Sequence, residues 1–167
     1  MSSYEDNVRL FDTAYQAAGR VDHALSNAGI GEQGNIIDPE LTLESVREAP
    51  SKSSQVVDVN LKGPLYFARL ASVYLRQPAL NNKGSTDAAD KSLTFTSSVA
   101  AFREDPGLYV YTASKHGVMG LMRALRRSVA LLWYCNRAWM QADIHPLAAR
   151  SLMSNRIQSA PTPSAHG

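Results

Sequence analysis

The stretch Leu93-Thr-Phe-Thr-Ser97-Ser98-Val-Ala-Ala-Phe-Arg-Glu-Asp-Pro-Gly-Leu-Tyr-Val-Tyr111-Thr-Ala-Ser-Lys115 decides how the rest of the chain is read. Its first part is a short run of apolar and β-branched residues, which predicts a buried strand over 92–98. Ser98 then stands at the carboxyl end of that strand, where open parallel α/β sheets carry their chemistry. Its second part opens an apolar periodicity that continues through Val118, Leu121, Met122 and Leu125 and predicts a helix over 110–131. Tyr111 and Lys115 are spaced i, i+4, so both side chains share one face of that helix. A free tyrosine titrates near pH ~10, too high for a base working at neutrality, and a neighbouring ammonium stabilises a phenolate. A tyrosine with that neighbour can donate and accept a proton. A Tyr-x-x-x-Lys spacing arises by chance about 0.2 times in a chain of this composition, so its weight comes from the words around it.

Four such words occur in order: Asn27-Ala28-Gly29 after a strand expected at 21–26, Asp58-Val-Asn60-Leu-Lys-Gly63, Thr96-Ser-Ser98-Val-Ala-Ala, and Tyr111-Thr-Ala-Ser-Lys115-His-Gly-Val. Together they resemble the short-chain dehydrogenase/reductase family, in which a serine precedes the tyrosine by the interval that separates Ser98 from Tyr111. The resemblance covers roughly residues 3 to 131. It implies an α/β fold, a partial Rossmann-like doubly wound parallel sheet that lacks the first strands and the glycine-rich turn. It further implies an oxidoreductase that interconverts a secondary alcohol and a ketone with a nicotinamide cofactor, NAD or NADP, the choice not being readable. On this resemblance Tyr111 transfers the proton and Lys115 stabilises its phenolate and contacts the nicotinamide ribose. Ser98 holds the substrate oxygen and Asn60 anchors a relay water, while Asn27, Ala28 and Gly29 join Tyr111 and Lys115 in facing the cofactor. The expected partners are a small carbonyl or alcohol substrate and a second copy of the chain, met through helices 55–76 and 110–131. The wording Phe95-Thr-Ser-Ser-Val-Ala-Ala-Phe102 is similar to that of fungal enzymes that tailor secondary metabolites.

The competing expectation is a truncated, catalytically inactive relative, an interaction module or a remnant. The resemblance places the first residue at the helix before the family's fourth strand, so the phosphate turn and the residue that selects NAD or NADP fall outside this chain. Two strands are expected with an open edge at 21–26, a marginal unit without further cover. After Leu132 the likeness stops: Trp133 to Pro146 contain no Pro-Gly turn of the family's kind, and 159–167 read as a disordered tail. The domain division is therefore 1–132 for the α/β core and 133–167 for a diverged carboxyl segment.

Composition excludes other classes. At 167 residues, 44% hydrophobic and 19% charged, the chain is long enough for one domain with a real core. A net charge of +2 gives no reason to expect nucleic acid, and Arg123, Arg126 and Arg127 read as the solvated face of a helix. The single cysteine, Cys135, excludes an internal disulfide and fits a reducing compartment. The polar start Met1-Ser-Ser-Tyr-Glu-Asp6 is not a secretory signal, and no apolar run is long enough to span a bilayer, so the expected location is the cytosol. No metal site is expected.

The remaining segments read as follows. Val8, Leu10, Phe11, Tyr15 and Ala18 predict a helix over 4–18 that Gly19 ends. His23 is expected to have a structural partner on its strand face. Gly29-Ile-Gly31-Glu-Gln-Gly34 is a literal G-x-G-x-x-G, but a phosphate loop must open a helix at once, and Asn35-Ile-Ile-Asp-Pro39 intervenes. A short helix is expected over 40–49, a polar break over 50–54, and one long helix over 55–76 kinked at Pro64. That kink is expected to open the Asn60 carbonyl to water. Residues 77–91 read as a surface loop.

Overall fold

The computed structural model describes residues 2–80, 91–103, 105–132 and 140–143. Residues 81–90 of the expected surface loop, residues 133–139 with Trp133, Cys135 and Trp139, and 144–167 with the expected tail lie outside the described residues.

Helix α1 spans Tyr4–Ala18. Ser3 caps it, its hydroxyl accepting the Asp6 N–H at 3.1 Å, and Glu5 and Asp6 place negative charge at the positive end of the helix dipole. Gly19 closes it, with its N–H donating to the Tyr15 carbonyl at 2.8 Å. Strand β1, His23–Ser26, follows. It is two residues shorter at its start than expected, because Val21 and Asp22 precede the paired register, which begins with His23 opposite Ser92. His23 has its structural partner, Nδ1 lying 2.9 Å from the Ser92 hydroxyl.

The expected helix over 40–49 does not form; a single 3-10 turn, Ser45–Arg47, stands in its place. Side-chain oxygens here capture the backbone donors a helix would need. Asn35 accepts from Ile37 N, Asp38 from Glu40 N, Thr42 from Ser45 N and Ser45 from Thr42 N. Leu41, Leu43 and Val46 stay exposed, so no apolar face rewards a longer helix.

The expected polar break at 50–54 is instead the first turn of α2, Ser51–Val57, where the Pro50 carbonyl accepts the Ser54 N–H. The long helix is not simply kinked. Between α2 and α3, Gly63–Tyr74, it passes through a π-helical turn, Asp58–Lys62, whose closing bond runs from Gly63 N–H to the Asp58 carbonyl. Pro64 thus falls in the first turn of α3, where a missing N–H costs nothing. The wide turn takes up the break that a proline inside a regular helix would force.

Strand β2, Ser92–Ser98, lies in the middle of a three-stranded parallel sheet of order β1-β2-β3. The third strand, Met140–Asp143, was not expected: it falls in the segment where the family likeness ends, and only its pairing with β2, Phe95 opposite Met140, reveals it. Helix α4 spans Tyr109–Leu132. Ala24, Leu93 and Phe95 pack with Phe11, Phe67, Leu70, Ala71, Leu75 and Val118 in one core, which sets α1, α3 and α4 against the same sheet face. The alternate residues His23 and Leu25 are exposed, Leu25 at 57%. Arg123 and Arg126 are exposed on α4, as their spacing implied. No described helix is long and apolar enough to cross a membrane.

Candidate active site

The carboxyl end of β2 packs on α4, and the stretch after β1 is joined to β2 through Asn27 and Thr96. β2 carries Ser98 to the rim, where its backbone is extended and its hydroxyl accepts the Ala100 N–H at 3.2 Å. Ser98 is buried and caps a 3-10 turn, Val99–Ala101, that packs on α4. One residue earlier, the Ser97 hydroxyl donates to the Lys115 carbonyl at 3.0 Å and ties the strand directly to the helix.

Tyr111 and Lys115 lie one turn apart on α4, as the spacing requires, with the Lys115 Nζ 5.6 Å from the centre of the Tyr111 ring. Lys115 is 5% exposed, and an ammonium that far from water needs compensating partners. One is the Thr96 carbonyl, which accepts from Nζ at 3.2 Å. The Thr96 hydroxyl in turn donates to Asn27 Oδ1 at 2.6 Å, so one residue of β2 holds both the amine and the bend after β1.

That bend, Asn27-Ala28-Gly29, comes close to the amine because Gly29 has no side chain. A Cβ there would lie 3.3 Å from the Lys115 Nζ and 3.2 Å from Asn60 Oδ1. Gly117 plays the same part on the far side: a Cβ would come within 2.8 Å of Leu61 Cδ1, so its absence lets α4 press against the π-helical turn. Asn60, 1% exposed, stands between these surfaces. Its side chain accepts from Ile30 N–H and donates to the Ile30 carbonyl, both at 2.8 Å, and its amide lies 3.3 Å from the Ser114 hydroxyl, to which it donates. The expectation that Asn60 is opened to water is corrected: it is the buried residue of a wide turn whose Asp58 and Lys62 stay partly exposed.

The residues Gly29-Ile-Gly31-Glu-Gln-Gly34 open no helix; the chain continues as a loop to the 3-10 turn at Ser45. One of them nevertheless has a structural task that sequence reading missed. The Glu32 carboxylate accepts the N–H groups of Val110 and Tyr111, at 3.3 and 2.6 Å, at the start of α4. The available signal was negative: Leu108, just before the helix, has no oxygen with which to cap it. Among the described residues no cluster of His, Cys, Asp or Glu could hold a metal ion.

Three comparisons bear on this arrangement. A family model described as short chain dehydrogenase matches residues 1–131. A short-chain dehydrogenase/reductase of Penicillium roqueforti is 34% identical over 116 residues, 70% of this chain and 32% of that protein. The 5'-hydroxyaverantin dehydrogenase of Emericella nidulans is 30% identical over 169 residues, 91% of this chain and 55% of that protein. The chain therefore spans between about a third and about half the length of these two relatives. Among solved structures, the ligand-free aldohexose dehydrogenase of Thermoplasma acidophilum superposes with a TM-score of 0.66 at 25% identity, over 96% of this chain and 55% of that one. The 3-ketoacyl-(acyl-carrier-protein) reductase of Brucella melitensis, complexed with NADH, gives 0.68 at 22% identity, over 89% and 56%.

Proposed function

The chain belongs to the short-chain dehydrogenase family, and on that footing we propose that its site serves the interconversion of a secondary alcohol and a ketone with a nicotinamide cofactor, NAD or NADP. The observation that carries the proposal is the buried Lys115 amine, fixed by the Thr96 carbonyl at the sheet rim and set beside the Tyr111 ring one helical turn away. In this reading Tyr111 passes the proton to or from the reacting oxygen. Lys115 stabilises the negative charge that develops on the phenol oxygen, and the Ser98 hydroxyl holds the substrate oxygen. Asn60 acts as a support, its side chain holding the loop at Ile30 and reaching the Ser114 hydroxyl of α4.

The residues present fit one end of the cofactor. Asn27, Ala28 and Gly29 form a bend drawn tight against the Lys115 amine at the carboxyl ends of parallel strands, where such sheets bind nucleotides. With Tyr111 and Lys115 they would hold the nicotinamide ribose. When bound, the nicotinamide supplies or takes up the hydride. The likeness to the 5'-hydroxyaverantin dehydrogenase of Emericella nidulans supports a small product of fungal secondary metabolism as the substrate. We place the protein in the cytosol and expect a second copy to pack on α3 and α4, where Leu65 and Val73 of α3 are exposed.

Titration of NADH and NADPH into the 167-residue chain, followed by nicotinamide fluorescence, tests the proposal directly. Binding is expected; none at millimolar cofactor would transfer the reading to an inactive relative that serves as an interaction module or remnant. Tyr111→Phe is expected to lower turnover of a secondary alcohol about 10²- to 10⁴-fold. Activity undiminished in that variant would remove Tyr111 from the proton path.

A further inference from the structure

The loop that leaves β1 reaches the catalytic helix through a single carboxylate. Helix α4 begins at Tyr109, and the residue before it, Leu108, contributes only its carbonyl, which accepts the Thr112 N–H at 2.8 Å. A leucine in the cap position has no side-chain oxygen for the free donors of the first turn. Glu32 supplies acceptors for two of these donors, one oxygen to Val110 N–H and the other to Tyr111 N–H. The bonds span 78 and 79 residues, so this cap is a tertiary contact and not a local one. Its shorter arm, 2.6 Å, ends on the main chain of Tyr111 itself.

The same loop is fixed behind Glu32 from both sides. Upstream, Asn60 clamps Ile30 through its N–H and its carbonyl. Downstream, the Ser53 hydroxyl donates to the Gln33 carbonyl at 2.9 Å. Glu32 therefore projects from an anchored stretch of chain, and its carboxylate transmits that anchorage to the first turn of α4. A negative charge at this end of the helix also meets the positive end of the helix dipole, so the contact is favoured twice over.

From this geometry we propose that Glu32 is a positioning residue for Tyr111: it sets the first turn of α4 relative to the Asn27–Gly29 bend, and with it where the phenol stands beside the Lys115 amine. The proposal rests on the reading of Tyr111 as the proton-transfer group, but the contact it describes is measurable without turnover. It gives a task to the glycine-containing stretch Gly29–Gly34, which holds the helix by a carboxylate rather than a phosphate by its amides.

The test uses the 167-residue chain with ¹³Cζ-labelled tyrosine and ¹⁵N amides, in Glu32→Ala, Glu32→Gln and Glu32→Asp. Glu32→Ala is expected to accelerate amide exchange at Val110 and Tyr111 about tenfold, the factor that matches loss of a typical helix cap, and to move the Tyr111 ¹³Cζ resonance. Glu32→Gln, which keeps the shape and one acceptor, is expected to fall between parent and Glu32→Ala, and it carries the test should Glu32→Ala not fold. Glu32→Asp, too short to reach both donors, should resemble Glu32→Ala. Ser3→Ala provides the control: it removes the cap of α1 at a comparable cost in stability and should leave the Tyr111 resonance where it is. A Tyr111 resonance and exchange rates unchanged in Glu32→Ala, or shifted as much in Ser3→Ala, would overturn the proposal. A failure of Tyr111→Phe to affect turnover would strike the catalytic reading and leave these resonances as they were, so the two failures are distinguishable.

Discussion

Two neighbouring stretches outside the strands and α-helices, Asn27–Gln33 and the longer Asn35–Glu48, both mix polar and apolar residues, and the fold treats them in opposite ways. The first is tied across the chain: Asn27 to Thr96, Ile30 to Asn60, Glu32 to Val110 and Tyr111, Gln33 to Ser53. The second is held by bonds between residues two to four apart, such as Asp38 to Glu40 and Thr42 to Ser45. It leaves Ile37, Leu41, Leu43 and Val46 exposed, Leu43 at 85%. The first stretch is part of the scaffold that holds the site, whereas the second is a folded surface whose loss the core would not register. Polarity does not separate them; the reach of their hydrogen bonds does.

The comparison can be broken most easily at Asn60. Replacement by Ala removes both bonds to half-buried Ile30 and the bond to buried Ser114, so Asn60→Ala should cost about 2–4 kcal/mol in urea unfolding and speed exchange throughout 27–33 while leaving 35–48 unchanged. Equal loosening of both stretches would show that they form one cooperative unit after all. A smaller effect is expected at Tyr74, which reaches just as far in sequence but at the surface, its hydroxyl donating to Asp12. That bond pushes the Tyr74 hydroxyl up to about 12. Because the folded value lies above the unfolded value of ~10, the contribution is complete below pH ~10 and is lost as the pH rises through about 12. Tyr74→Phe should therefore cost about 1 kcal/mol at neutral pH, and its deficit against the parent should shrink between pH ~10 and about 12. The smallest effect belongs to the second stretch: Leu43→Ser, at an exposed position with only local support, should change stability by less than about 0.5 kcal/mol. A larger loss there would mean that this surface is covered in solution.

The parts of the fold that could be read in advance are those with local causes. Ser3 and Gly19 mark the ends of α1 by their own chemistry, the apolar run from Leu93 marks β2, and the periodicity through Val118 and Leu125 marks α4. The site residues Asn27, Gly29, Asn60, Ser98, Tyr111 and Lys115 stood in recognisable words, and the structure brings Asn27, Gly29, Asn60 and Lys115 into one connected set of contacts with Thr96. What escaped has distant causes. Glu32 caps a helix whose own flank offers nothing, and β3 becomes a strand by pairing beside Phe95. The expected helix at 40–49 failed for the opposite reason: its apolar residues meet no partner, and the hydroxyls of Thr42 and Ser45 satisfy the backbone instead.

The wide turn at Asp58–Lys62 has a further consequence. A regular helix advances about 100° per residue, so the extra residue held in this turn offsets every side chain after it by roughly that angle from where an unbroken α-helix of the same sequence would put it. Upstream, Val56 is fully buried outside the main core cluster; downstream, Phe67, Leu70 and Ala71 are buried in the core with residues of the sheet. No single straight cylinder presents both sets correctly. Winding the same residues as one regular helix would turn every position after Lys62 by about 100°, and either the amide of Asn60 or the ring of Phe67 would face the wrong way.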